Sequence, residues 1–382
     1  MSNPVIIIGG GISGTATAWE LARHGVGVTL LEQGTLASMA SGWTLAGVRQ
    51  SGRHPAELPL AGAAVKRWEG LAEELGADVE YRQYGNLRLA LEESDVPTIR
   101  QVVDDGNAAG IPMTYLDGAA AVHEVAPALT PNLQGASFCQ SDGHANPQKA
   151  VEAFAAAATR AGATIRTGVT VLGIDTDDGR VTGVQTSEGS IAAERVIVAA
   201  GIYAPRLLAP LGIDIPLNVV IVPMIQTEVV EPLLGQVLGI PTGGFAGRQQ
   251  ADGRFRLSGS SIPWNEGTHT AENVMPTLSQ MATTIDWSTR LVPALEGVRA
   301  TKIWAGLIDK TPDALPVIEA SPEVEGLVIA TGFSGHGFCL GPVTGEILAD
   351  LATEGVTRHP IEPFARKRLD TLAHAEAVTL HG

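Results

Sequence analysis

Residues 5–33 read VIIIGGGISGTATAWELARHGVGVTLLEQ, and their order decides the fold. Val5 to Ile8 is an apolar, mostly β-branched run, the composition of a strand buried on both faces. Gly9-x-Gly11-x-x-Gly14 follows at once. A small-residue helix over Ser13 to His24 comes next, carrying Ala16, Ala18, Leu21 and Ala22, and then a strand over Val26 to Leu31 that ends in Glu32. Gly9 permits a tight turn, Gly11 lets the backbone approach a pyrophosphate, and Gly14 lets the helix pack close to the strand. The free N–H groups around Ile12 and Ser13 favour an anion at the helix N-terminus. Glu32 stands where a carboxylate can accept both ribose hydroxyls, and it would repel a 2′-phosphate, which argues against NADP. A bare GxGxxG says little. Strand, glycines, helix, strand and acid in this order indicate a dinucleotide site.

The chain has 382 residues, room for two domains with sizeable cores. It carries 25 Lys and Arg against 41 Asp and Glu, a net charge of −16. That opposes a nucleic acid or an anionic membrane as partner, since both need basic patches, but it leaves room for a small anionic substrate. Two cysteines, Cys139 and Cys339, make neither a disulfide framework nor a metal cluster, so no metal is expected. No Arg-rich or apolar leader precedes Val5, and the apolar stretch from Leu207 to Ile225 is broken by Pro210, Asp214, Pro216, Asn218 and Pro223. The expectation is a cytoplasmic protein without a membrane span.

Further along, Ala37 to His54 is too rich in glycine and small residues for a strand or an ordinary helix start and reads as a loop at the ligand's edge, with Arg49, Gln50, Arg53 and His54 as its polar members. Leu58 to Leu75 is a helix with Leu60, Ala64, Trp68 and Leu71 on one stripe. Strands are expected over 84–91 and 134–140, helices over 95–109, 117–125 and 147–161. The nucleotide pattern then returns, with strands over 164–166 and 169–176, a hairpin arm over 180–186 turning on Asp178-Gly179, and a strand over 191–199 running into Ala200-Gly201. Leu217 to Val229 is a long strand, Phe245 to Gly259 a hairpin, and Asn273 to Leu291 a helix; these are antiparallel in character and read as an inserted second domain. Gly326 to Gly332 gives a third strand-then-glycine passage. The loop Phe333-Ser334-Gly335-His336-Gly337-Phe338 follows, and Pro342 opens a last helix through Ala352. The expected architecture is α/β: an FAD-binding Rossmann-like domain of the glutathione-reductase type from 1–80, 141–210 and 300–382, and an α+β substrate domain on a mostly antiparallel sheet from 81–140 and 211–299.

Nicotinamide dehydrogenases usually keep the dinucleotide fold in one piece. Here it lies in three, and the late glycine loop supplies a second helix N-terminus, which stabilises the negative charge of a reduced flavin. FAD is therefore preferred over NAD, with a nicotinamide dehydrogenase and an NAD(P)H-requiring hydroxylase or reductase as the rival readings.

GGGISG, Glu32, SGWTLAGVRQ, KIWAGLIDKTPD (302–313) and ATGFSGHGFCLGPVTGEIL (330–348) resemble the glycine oxidase, sarcosine oxidase and D-amino-acid dehydrogenase family of FAD-dependent amine oxidoreductases, most of all its β-subunit members. The resemblance implies FAD contacts at Ile12, Ser13, Glu32 and Gln33, pyrophosphate contacts at Ser41 and Gly42, and flavin-ring contacts at Ala46, Gly47 and Val48. It implies a backbone contact from Val171 to the adenine, and the stretch from Gly332 to Phe338 lining the ring. Related glycine oxidases carry a carboxylate-binding Arg where this chain has Ile308, and related monomeric sarcosine oxidases a Lys where it has Cys339. The flavin-linking Cys of the latter falls near Gly306, so the FAD is expected to be non-covalent, and the oxygen-activating Lys falls near Ser258, which favours a dehydrogenase. Either Arg49, or else Arg248 or Arg256, holds a carboxylate, or the substrate differs; the alternative for Arg49 is a structural role paired with a local acid. His336 hydrogen-bonds near the flavin, or tunes the amine's protonation, or, bonded to backbone, fixes the loop. His144 reads as structural, and Phe245 and Trp264 as core or pocket wall. The expected reaction is oxidation of the CH–NH bond of an amino acid or secondary amine by hydride transfer to flavin N5, giving an imine. Electrons would pass to O₂ or a protein partner. The alternative is an FAD-carrying β subunit of a heteromeric amine or opine dehydrogenase, inactive without its other subunits.

Overall fold

A computed structural model describes residues 4–265 and 271–372. Val5–Ile8 lies inside a six-stranded sheet, paired in parallel with Val28–Glu32 on one side and Val196–Val198 on the other. Thr164–Thr167 and Leu327–Thr331 extend the parallel ladder outward, and Val317–Ala320 closes it antiparallel. The apolar run of the first strand is explained by burial on both faces. Val5 and Ile7 join a cluster with Leu21, Trp68 and Ile347 on the side of helices Ile12–Arg23, Leu58–Leu75, Pro147–Arg160 and Gly337–Thr353. Ile6 and Ile8 join Val181, Val184 and Ile213 beneath a three-stranded meander. Asp178 and Gly179, with φ of +46° and +75°, turn that meander as a two-residue hairpin. Helices Ile12–Arg23 and Gly337–Thr353 touch closely: a Cβ added to Gly341 would stand 2.4 Å from the Ile12 side chain, and one at Gly345 2.6 Å from that of Ala16.

The second sheet has nine strands and is antiparallel except where Val237–Gly239 runs beside Asn86–Ala90. Leu87, Leu89, Phe245 and Phe255 share a core with Leu291 of helix Leu278–Leu291. The architecture is the expected one, a dinucleotide-type parallel sheet with a mostly antiparallel second sheet.

Several elements differ from expectation. The late helix begins at Gly337, not Pro342, which sits inside it. The glycines of the loop start the helix directly, so its N-terminus stands five residues nearer that loop. Helix Leu278–Leu291 begins after Pro276, on a capping box of Thr277 and Gln280, rather than at Asn273. The single strand expected over 191–199 is two: Gly189–Ala192 pairs within the meander and Val196–Val198 within the six-stranded sheet. The loop over 37–54 contains a short helix, Ala40–Trp43, and a strand, Gly47–Val48, paired with Gly143–His144. Ala300–Lys310, grouped by sequence with the nucleotide-binding parts, hydrogen-bonds along Asn218–Val229 over most of its length and so belongs to the nine-stranded sheet. Among the described residues no helix is long and apolar enough to cross a membrane.

Candidate active site

One cavity runs from the first glycine loop, past the ends of Val5–Ile8 and Val196–Val198, to the underside of the nine-stranded sheet. Gly9 has φ of +117°, and a Cβ there would stand 2.3 Å from the Ala199 carbonyl oxygen; one at Gly14 would stand 2.0 Å from that of Gly9. Both glycines are required by the chain's own packing. Gly11 differs. A Cβ there would crowd only the Ser41 side chain, 2.9 Å from Oγ, and no backbone, while Gly11 itself lines the cavity. The fold demands glycine less here than at Gly9 or Gly14, since only a side chain would have to give, and the want of a side chain suits a group brought close to the backbone from the cavity. Ser41 Oγ accepts the Ile12 N–H at 3.0 Å. The Glu32 carboxylate accepts the N–H groups of Gly10 and Gly34, each at 2.7 Å, which fixes its position; each oxygen keeps a further lone pair for a hydroxyl donor. The missing Cβ, the helix N-terminus and the held carboxylate fit a dinucleotide.

Of the residues singled out by sequence, Gly9, Gly11, Ile12, Ser13, Glu32, Gln33, Ser41, Gly47, Arg49, Val171, Ala200, Gly201 and the run from Phe333 to Phe338 line this cavity. Gly14, Gly42, Ala46, Val48 and Gly332 do not line it. Gly42 packs on the Ala37 carbonyl, Ala46 makes a left-handed turn at φ +62° before the strand Gly47–Val48, and Val48 is fully buried. Gly332 donates its N–H to Asp309 Oδ2 at 2.7 Å. Ser258, Gly306 and Ile308 line the cavity, whereas Cys339 is buried with its thiol directed at the Arg49 carbonyl, 3.4 Å away.

The late loop is held by residues that sequence reasoning left unnoticed. Asp309, at the end of Ala300–Lys310, is buried beneath it; its carbonyl accepts the Ser334 N–H, and burial pushes its carboxyl up to about 6. Ser334 takes φ of +52° without being glycine, and its Oγ accepts the Thr311 N–H at 3.2 Å. The only sequence signal was that Asp309 falls within the KIWAGLIDKTPD segment.

The far end carries charge. His336 Nδ1 lies 2.8 Å from Glu57 Oε2, and both side chains are buried. Burial and the neighbouring Arg53 hold the His336 imidazole down at about 4, while His336 and Arg53 overcome the opposing effect of burial to hold Glu57 at about 2. At neutral pH a neutral imidazole therefore donates Nδ1–H to a carboxylate, which leaves Nε2 as the acceptor nitrogen. Arg53 lies 3.8 Å from Glu57 and donates Nε–H to the Arg49 carbonyl. Arg49 donates to the Ser51 carbonyl at 2.5 Å and, more weakly, to that of Gly52 at 3.5 Å; burial and the adjacent Arg53 and Arg88 hold its pKa well below the ordinary guanidinium value. Asp142, fully buried, accepts from the Gln50 and Ser51 N–H groups and from Ser51 Oγ. Arg88 reaches the same wall from Asn86–Ala90.

The other two arginines weighed for a carboxylate are used elsewhere. Arg248 donates to the carbonyls of Leu45 and Ala145 and to His144 Nδ1. The imidazole of His144 is pushed far below its ordinary pKa by burial and by Arg248, and its role is structural. Arg256 donates to the Thr44 carbonyl at 2.8 Å and lies over the Trp304 ring. Neither lines the cavity. Phe245 does, while Trp264 packs beside Ile221 and Leu307.

Residues 4–351 match the family described as FAD dependent oxidoreductase. The chain is 29% identical to a glycine oxidase of Geobacillus kaustophilus over 95% of this chain and 96% of that one. The crystal structure of glycine oxidase from that organism superposes with a TM-score of 0.88, covering 95% of this chain and 98% of that one at 28% identity. The chain is also 29% identical to a sarcosine oxidase subunit beta of an Arthrobacter species, over 97% of this chain and 92% of the relative. An L-proline dehydrogenase structure from P. horikoshii superposes with a TM-score of 0.89 at 28% identity, covering 97% and 98% of the two chains. With its glycine loop, its held Glu32 and a family match over nearly its whole length, this chain belongs to the FAD-dependent oxidoreductases.

Proposed function

We propose that this chain oxidises the CH–NH bond of an amino acid or a secondary amino acid. The observation that carries the reading is one cavity joining a dinucleotide-type end to a chamber walled by Arg49, Arg53 and Arg88. Gly11 with the N–H groups of Ile12 and Ser13 would hold the FAD pyrophosphate, Glu32 the adenosine ribose, and Val171 the adenine side. Gly47 and the run from Phe333 to Phe338 would line the flavin ring. When bound, the flavin supplies the acceptor for a hydride. The protein's part is to orient the substrate and exclude water. The arginine wall attracts a carboxylate into a chamber where burial strengthens the attraction. His336 offers Nε2 as an acceptor to an amine N–H. With its basicity held down at about 4, it orients the amine rather than deprotonating an ammonium, so the substrate would leave its ammonium proton in bulk water and enter as the neutral amine.

A second reading makes the chain the FAD-carrying member of a larger assembly. Its support is the similarity to a sarcosine oxidase subunit beta and two exposed apolar side chains on one face of Leu278–Leu291, Leu278 at 82% and Ile285 at 49%. Electrons would then leave to a partner rather than O₂, which the uncharged Ser258 on the cavity wall also supports. A cytoplasmic location is supported by two buried cysteines that are not joined.

Anaerobic mixing of the FAD-loaded protein with glycine, sarcosine, D- and L-proline, hydroxyprolines, opines and their decarboxylated analogues tests the main reading. An amino acid should bleach the visible flavin band, and its decarboxylated analogue should do so more slowly. Bleaching by NAD(P)H alone would overturn it. Peroxide release with O₂ as acceptor would exclude the obligate-subunit reading.

A further inference from the structure

Arg88 stands on Asn86–Ala90 in the nine-stranded sheet and is 8% exposed. Among the described residues its guanidinium makes no hydrogen bond and no ion pair, yet none of its nitrogens is sealed from the cavity it lines. Asp142, the carboxylate whose field it feels, is already occupied by Gln50 and Ser51. Burial and the neighbouring Arg53 hold the Arg88 pKa down at about 10, the mark of a cation lacking its anion. The other arginines of the wall are engaged or sealed: Arg49 donates to the Ser51 carbonyl, and Arg53 donates Nε–H to the Arg49 carbonyl and forms an ion pair with Glu57 at 3.8 Å, its Nη1 buried without a hydrogen-bond partner. Arg88 is also placed with care. Gly52 has φ of +61°, and a Cβ there would stand 3.3 Å from both Nη1 and Nη2, so the turn that Arg49 braces forms the seat of the fork.

We propose that Arg88 receives the α-carboxylate of the substrate, gripping it through both terminal nitrogens, and that Arg49 acts through the Ser51–Gly52 turn as a positioning residue. A planar fork suits a carboxylate, and three guanidinium groups facing two carboxylates leave one positive charge for it to balance. The inference rests on the amino-acid reading above and supplies the anchor that Ile308 and Cys339 do not.

The test compares FAD-loaded wild type, Arg88→Gln and Arg88→Lys. One readout is the half-saturating concentration for anaerobic flavin reduction by the wild type's best amino acid and by its decarboxylated amine. The other is titration with acetate, followed by the shift it causes in the visible flavin spectrum. Arg88→Gln should raise the amino-acid value on the order of 100-fold, leave the amine within about threefold and abolish the acetate response; Arg88→Lys should lose about tenfold. Unchanged amino-acid and acetate saturation in Arg88→Gln would overturn the proposal. If that variant does not hold FAD, Gly52→Ala, which keeps Arg88 but crowds its fork, should raise the amino-acid value about tenfold or more, and an unchanged value would overturn it. If no amine reduces the wild type, the amine-oxidation reading fails, and the acetate titration still judges Arg88 by itself.

Discussion

At the nucleotide end of the cavity the chain offers backbone: glycines at 9, 11 and 14, a helix N-terminus and one carboxylate tied to two N–H groups. At the far end, which we propose for the substrate, it offers charge: Arg49, Arg53 and Arg88 against Glu57 and Asp142, with a neutral His336 among them. The first end comes from one continuous stretch of about thirty residues. The second draws on residues 49 to 57, residue 88, residue 142 and residue 336, brought together only when the two sheets close over the cavity. A backbone site is rigid because packing leaves it no alternative. A charged site is rigid only while each charge keeps its partner.

The sharpest way to break the backbone end is Gly14→Ala. The new methyl would stand 2.0 Å from the Gly9 carbonyl oxygen, so helix and strand must separate, and unfolding in urea should show a loss of about 3 kcal/mol or more. At the charged end, Glu57→Ala strips partners from Arg53 and His336 together and should cost about 3 kcal/mol by the same measurement. A loss below about 1 kcal/mol would mean that water, not Glu57, satisfies the wall.

Between the two ends, the late loop gives a pH signature. Burial holds Asp309 at about 6, above its ordinary 3.8, so between those values the folded chain keeps a proton that the unfolded chain has released. The stability this group contributes is present below about pH 4 and falls, by on the order of 3 kcal/mol, as pH rises to about 6. His336, held at about 4 against an ordinary 6.5, acts in the opposite sense, and its contribution is lost as pH falls from 6.5 through 4. Asp309→Asn should therefore gain on the wild type by on the order of 3 kcal/mol as pH is raised from about 4 to 6.5. A difference that does not change with pH would place Asp309 in contact with water.

A smaller effect is expected from Glu32→Gln. The amide can accept only one of the Gly10 and Gly34 N–H groups, so the variant should lose roughly 1–2 kcal/mol of stability and about tenfold in FAD affinity, read by urea unfolding and FAD titration.

The contrast between the ends explains what could be read without coordinates. Val5 to Glu32 was legible because each residue type there answers to a neighbour a few positions away, and Leu58–Leu75 emerged with its expected bounds because its stripe of Leu60, Ala64, Trp68 and Leu71 is local. His336 could be placed near the site by its glycine loop, but its partner Glu57, 279 residues earlier, could not. Arg88 looked like any residue of an alternating strand, since only the sheet pairing turns its side chain toward the cavity. Arg248 and Arg256 looked equally able to bind an anion until the carbonyls of Thr44, Leu45 and Ala145 were seen to occupy them. The start of the last helix was misread because Pro342 is a common first-turn residue and here lies beyond the first turn.

The central claim is that the pyrophosphate of the cofactor and the carboxylate of the substrate are held by separate devices within one cavity. FAD titration of the apo forms of wild type, Gly11→Ala and Arg88→Gln, each first shown to be folded, tests it most directly. The account predicts that Gly11→Ala weakens FAD binding at least tenfold, since its new methyl would meet only Ser41 within the fold and otherwise the incoming group, while Arg88→Gln binds FAD as the wild type does. Equal FAD affinity in Gly11→Ala and wild type, or a loss in Arg88→Gln as large as that in Gly11→Ala, would contradict it.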